Sequence, residues 1–132
     1  MATFMNRDER LALFRSALAE MAPVEDGFVV FEDTAVPDRV VQVAKATPGE
    51  PPVIEATNVY DADGGPLTPD QSAALAALGF DVTMEPFPQR PVDPTVPPAV
   101  ADLMDDTFLA LGATADFTPG LIASEPDLPA FG

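Results

Sequence analysis

The chain has 132 residues, six Lys or Arg against 22 Asp or Glu, a formal net charge of −16 and 47% hydrophobic residues. That length suits one domain with a core of its own, and the apolar content exceeds what a disordered acidic chain carries. With neither Cys nor His, disulfides, thiol chemistry, Cys/His zinc sites and the usual Ser-His-Asp and Cys-His catalytic arrangements are excluded.

Charge sets a second boundary. Nucleic-acid affinity rests on cations that displace counterions, so a chain with no Lys or Arg after Arg90 is not expected to bind DNA or RNA directly. A charged partner should be basic. The N-terminus is charged from Arg7 onward and lacks a signal peptide's apolar core, and no apolar run approaches the roughly 18–20 residues of a membrane span. A cytoplasmic location is the expectation, with no membrane partner.

Residues 6–21 read as an amphipathic helix. Leu11, Phe14, Leu18 and Met21 recur at spacings of three and four, with Asp8, Arg10, Arg15 and Glu20 outside that stripe. Pro23 prevents continuation, and Glu25-Asp26-Gly27 turns the chain into a β-rich part. Three strands are predicted at 27–32, 39–45 and 53–57, separated by turn-rich segments suited to an antiparallel meander. In the second, Val41 and Val43 share a face with Lys45, while Val40, Gln42 and Ala44 point the other way.

The stretch 58–80 writes out a helix with both its ends. Thr68 is placed as N-cap, Pro69 at the first helical position, Asp70 at the positive end of the dipole and Gln71 to complete a capping box. Gly79 supplies a left-handed residue after which Phe80 folds back onto Leu75. A fourth strand is predicted at 81–85. Six prolines between Pro86 and Pro98 then forbid a central strand and favour a stiff, extended connector. The last helix, 98–111, is apolar at Val100, Leu103, Met104, Phe108 and Leu111 and stops at Gly112, with Asp102, Asp105 and Asp106 on a solvated acidic face. From Thr118 the chain reads as irregular, with Leu121 and Ile122 returning to the body, a domain ending at about residue 123 and a tail over 124–132. The expected class is α+β, an antiparallel sheet with helices on one face, in the order α-β-β-β-α-β-(β)-α.

This order and several segments resemble the YbjN-like members of the type III secretion chaperone-like superfamily, notably small peptide-binding-chaperone-like domains of actinobacteria. Arg39-Val40-Val41-Gln42-Val43 is similar to that family's second strand, Ile54-Glu55-Ala56-Thr57-Asn58 to its third, and residues 66–80 and 101–112 to its middle and final helices. About three quarters of the chain follows the pattern. Relatives often carry tryptophan after the middle-helix glycine; here Phe80, Val82 and Phe87 stand in that region and no tryptophan occurs. The resemblance implies protein or peptide binding, and the secretion chaperones of the superfamily, which are homodimers, suggest a homodimer.

Candidate binding residues are Arg39, Val40, Gln42 and Glu55 on the exposed sheet face, Asn58 and Tyr60 where the third strand leaves the sheet, and Phe87. Phe28 and Phe31 are either part of that surface or core. Asp61 and Asp63 look like the start of a calcium loop, but Gly65 fills the third ligand position and no Glu follows at the twelfth. No cofactor is expected and no partnered nucleophile or buried carboxylate pair marks an enzyme. The leading expectation is a non-catalytic protein- or peptide-binding module. The alternative is an acidic inhibitor or nucleic-acid mimic that occupies a basic protein.

Overall fold

The computed structural model describes residues 5–21, 23–24, 27–45, 52–57, 68–83, 88–92 and 97–125. The elements follow as α1 (Arg7–Met21), β1 (Phe28–Asp33), β2 (Val36–Ala44), β3 (Val53–Thr57), α2 (Pro69–Ala77), β4 (Gln89–Pro91), α3 (Pro97–Ala110) and β5 (Pro119–Glu125). The strands form one antiparallel sheet in the order β4-β3-β2-β1-β5. All three helices bury their apolar residues against the same side of it, in one cluster with Val29, Phe31, Val41, Val43, Ile54 and Ala56. This is the expected α+β class.

Local signals explain the helix ends. Asn6 caps α1: its side chain accepts from the Glu9 amide at 2.8 Å, while the Glu9 carboxylate accepts from the Asn6 amide at 3.2 Å. Thr68 and Gln71 form the same reciprocal box on α2. Both α2 and α3 end on a glycine of positive φ, Gly79 at 90° and Gly112 at 105°. In each, the residue beyond returns its amide to the last turn, Phe80 to the Leu75 carbonyl at 3.1 Å and Ala113 to that of Phe108 at 3.0 Å.

The core is built on phenylalanine. Phe14 of α1 meets Phe31 of β1 edge-on at 5.1 Å between centroids and stacks on Phe108 of α3 at 6.2 Å, and Phe108 reaches Phe117 at 4.9 Å. Val100, Leu103, Met104, Phe108 and Leu111 are all buried, so the α3 stripe falls where its spacing puts it.

Two strands and one pair of charged residues differ from expectation. The fourth strand lies at Gln89–Pro91; of the predicted 81–85, Asp81 makes only an isolated bridge to Gln89 before a turn at 82–83, and 84–85 lie outside the described residues. A proline-rich strand is tolerated there because β4 is at an edge and Pro91 sits at its end. The fifth strand follows α3: residues from Pro119, read as irregular, pair with β1 through Glu125. Proline as the first residue of an edge strand withdraws no bond from a ladder on its outer side. Asp105, assigned to a solvated face, is fully buried, as is Arg10.

Candidate functional site

Strand alternation divides the sheet into two chemically different faces. The helix side holds the core. On the opposite side, where no helix of the described residues lies, the paired registers set Ala123, Val30, Gln42, Glu55 and Gln89 in one row across all five strands, and Asp81 continues it beyond β4. Flanking rows carry Phe28, Ala44, Val53 and Pro91 on one side and Glu32 and Val40 on the other. Val30 and Val40 are nearly closed off, at 5% and 4% exposure, though neither belongs to the helix-side cluster. Phe28, Glu32, Gln42, Ala44, Val53, Glu55 and Gln89 are half-buried and Ala123 is exposed.

No cation stands on this face. All six Lys and Arg fall among the described residues, and each is placed on the helix side. Arg10 forks onto Asp105, with Nη2 3.2 Å from Oδ2, and its Nη1 donates to the carbonyls of Met5, Ala115 and Phe117 at 2.7, 2.9 and 3.3 Å; its guanidinium also lies 4.3 Å over the Phe117 ring. Arg7 bonds Asp105 at 3.0 Å and Asp106 at 2.9 Å and stands 3.6 Å from Asp102. The Asp106 hydrogen bond, followed by the charges of the three aspartates, holds the Arg7 guanidinium above its ordinary pKa.

Three more cations serve helix C-termini, none of which carries a basic residue in its own last turn. Lys45 donates to the Val24 carbonyl at 3.1 Å, just past α1. Arg90 donates to the Leu78 carbonyl at 2.8 Å and lies along Gly79 at the end of α2. Arg39 lies against Gly112 at the end of α3 and reaches Asp33 at 3.5 Å, its Nε buried without a hydrogen-bond partner. Arg15 remains on the exposed surface of α1.

The candidate residues therefore separate. Val40, Gln42 and Glu55 share the helix-free face, with Gln42 directly opposite Glu55. Arg39 does not join them: it alternates with Val40, shares the side of Val41 and Val43, and its charge is drawn to buried Asp33. Phe31 is core at 0% exposure, whereas Phe28 is on the helix-free face. Asn58, Tyr60 and Phe87, together with the Asp61-Asp63 stretch, lie outside the described residues.

Two residues join the face that sequence reasoning did not place there. Gln89 stands opposite Glu55 on β4. Asp81, opposite Gln89, holds its carboxylate in a local turn, accepting from the Thr83 hydroxyl at 2.6 Å and the Thr83 amide at 3.0 Å. Those bonds, the hydroxyl's first, lower its pKa. The only sequence signal was the two-residue period around Glu55, which says nothing about the strand beside it.

Glu55 is electrostatically distinct. Burial pushes its carboxyl above the ordinary range, and among the described residues its carboxylate makes no ion pair or hydrogen bond that would offset that cost. Among the described residues no cluster of three or more Asp or Glu is arranged to hold a metal, and no helix is long and apolar enough to cross a membrane. Comparison with protein-family models, with curated proteins and with solved structures gives no significant match to this chain.

Proposed function

We propose that the protein is a non-catalytic protein- or peptide-binding module of the cytoplasm, of the secretion-chaperone-like kind its sequence resembles, and that the helix-free sheet face receives the partner. The observation that carries this reading is the one-sided distribution of charge. Every cation is placed on the helix side, leaving a face whose Val30 and Val40 are closed to solvent, whose other apolar groups and carboxylates are half-buried, and which has no positive charge of its own. Such a face suits a basic, amphipathic segment.

The alternative, an acidic mimic, draws less support from the geometry. It was motivated by the net charge of −16 and the acidic C-terminal third, where Asp105 is buried and Asp102 and Asp106 are within reach of Arg7. Arg7 and Arg10 thus offset part of that charge within the chain.

The two readings separate on salt. Tagged wild-type protein and Ala44→Arg, which adds bulk and positive charge on the central strand one row from Glu55, are used to capture proteins from nuclease-treated lysate of the native cell. At about 0.5 M salt the Debye length falls to roughly 4 Å. A protein retained by the wild type at that salt and lost from Ala44→Arg supports the sheet-face module. Retention that is unaffected by Ala44→Arg sinks it, and release of basic proteins at low salt from both favours the mimic.

A further inference from the structure

We infer that Glu55, set between Gln42 and Gln89 across three strands, is the anchor for a single arginine or lysine side chain of a basic, amphipathic protein partner. The inference rests on the reading of the helix-free face as the docking surface, and it names the chemistry that surface recognises.

The registers set three half-buried polar side chains side by side. Directly opposite residues in antiparallel strands stand about 4.5–5.5 Å apart at Cβ, so both amides lie within reach of a group bound to the Glu55 carboxylate. A guanidinium presents five donors in a planar fork; the carboxylate takes two and the amide oxygens are free to take others. Among the described residues none of the three side chains is engaged in a hydrogen bond. Asp81, next in the row, adds a second negative charge about two strand spacings, or roughly 10 Å, from Glu55. A half-buried, unpaired carboxylate is costly, and its raised pKa reports that cost. An incoming cation removes it.

None of the six Lys and Arg of the sequence supplies the cation. All six Lys and Arg are placed on the helix side, so no remaining segment carries a basic side chain that could reach Glu55. A second copy presents the same acidic face and is repelled by it. The cation belongs to a different, basic protein.

The test uses the full chain and a fluorescein-labelled, 18-residue amphipathic peptide of Leu and Arg, with a counterpart in which citrulline replaces every Arg and so keeps the shape without the charge. Affinities are measured at 0.15 M salt for wild type, Glu55→Gln and Ala44→Arg, each checked for native circular dichroism. Diffuse attraction to a chain of net charge −16 is barely altered by removing one acid. A specific anchor instead makes Glu55→Gln about tenfold weaker for the Arg peptide and indifferent toward the citrulline peptide. In the wild type the Gln42 and Gln89 side-chain amide resonances shift on titration, and the Glu55 titration midpoint falls when the peptide is bound.

Equal affinity of wild type and Glu55→Gln for the Arg peptide, with Ala44→Arg defective, overturns the anchor and leaves the docking face standing. Equal affinity of all three proteins overturns both. Absence of binding to the wild type likewise overturns both.

Discussion

Arg10 and Asp105, 95 residues apart in the chain, are joined in a two-point ion pair that is closed to solvent at both ends. The pair ties the first turn of α1 to the middle of α3 and is completed by three carbonyls and the Phe117 ring. Removing one partner leaves a buried charge uncompensated. Asp105→Asn is therefore expected to cost about 3–5 kcal/mol in urea denaturation, far more than any exposed acid. The double variant Arg10→Met/Asp105→Leu recovers part of that loss, because no charge is stranded, but not all, because the carbonyls of Met5, Ala115 and Phe117 lose their donor. A double variant as unstable as Asp105→Asn alone contradicts this account.

Glu55 gives a pH signature. Its folded pKa is raised by burial, so in the window from its ordinary value up through the folded value the native state holds more proton than the unfolded one. Its contribution is then most favourable below the ordinary value and is lost as pH rises through the folded value. Glu55→Gln removes that loss. Denaturation midpoints of the variant are expected to exceed the wild type's near pH 7, by less than about 1 kcal/mol for a half-exposed group, and to merge with them near pH 4. A gap that widens toward low pH is the opposite result.

The two helix-ending glycines predict similar sensitivities. Alanine at Gly79 or Gly112 is strained by the positive φ, at about 1–2 kcal/mol each. At Gly112 the added Cβ also meets the Arg39 guanidinium at 3.1 Å, against 3.3 Å to Arg90 at Gly79. Both clashes involve the flexible end of a side chain. Thermal denaturation should show losses of similar size at the two sites, and Arg39→Ala should leave most of the Gly112→Ala penalty in place.

Gln71 does two jobs that one substitution can divide. Its Oε1 accepts from the Thr68 amide at 2.9 Å and its Nε2 donates to the Leu111 carbonyl at 2.8 Å, linking the start of α2 to the end of α3. Gln71→Glu keeps the cap but places a carboxylate beside that carbonyl. It is expected to destabilise by about 1–3 kcal/mol, the cost of an unsatisfied pair, whereas Thr68→Ala costs about 1 kcal/mol. Reversal of that ranking on denaturation removes the interhelical role.

What was legible in the sequence was whatever is decided within a few neighbouring residues. Thr68, Pro69 and Gln71 specify a helix start wherever they occur together, and Gly79 and Gly112 specify its end. The alternation of Val40, Val41, Gln42 and Val43 assigns faces without knowledge of what covers them. Arg10 escaped because charge was counted against burial, although it stands four residues before Phe14 on the same stripe; its partner lies in α3, and no local pattern connects them. β4 and β5 escaped because proline is read as a breaker, and only edge placement, a property of the assembled sheet, makes it acceptable. Gln89 and Asp81 reach the Glu55 row through that same pairing, so the candidate site was half visible: its centre by alternation, its flank only in three dimensions.

The sheet's two rims are finished in different ways. On one, β4 is three residues long and ends in Pro91. On the other, β5 slips register between Leu121 and Ala123, and the extra residue, Ile122, is left 42% exposed. Among the described residues, neither rim is a long, regular strand. A short, proline-ended rim and a bulged one are features that disfavour edge-to-edge addition of strands, and the net charge of −16 works in the same direction.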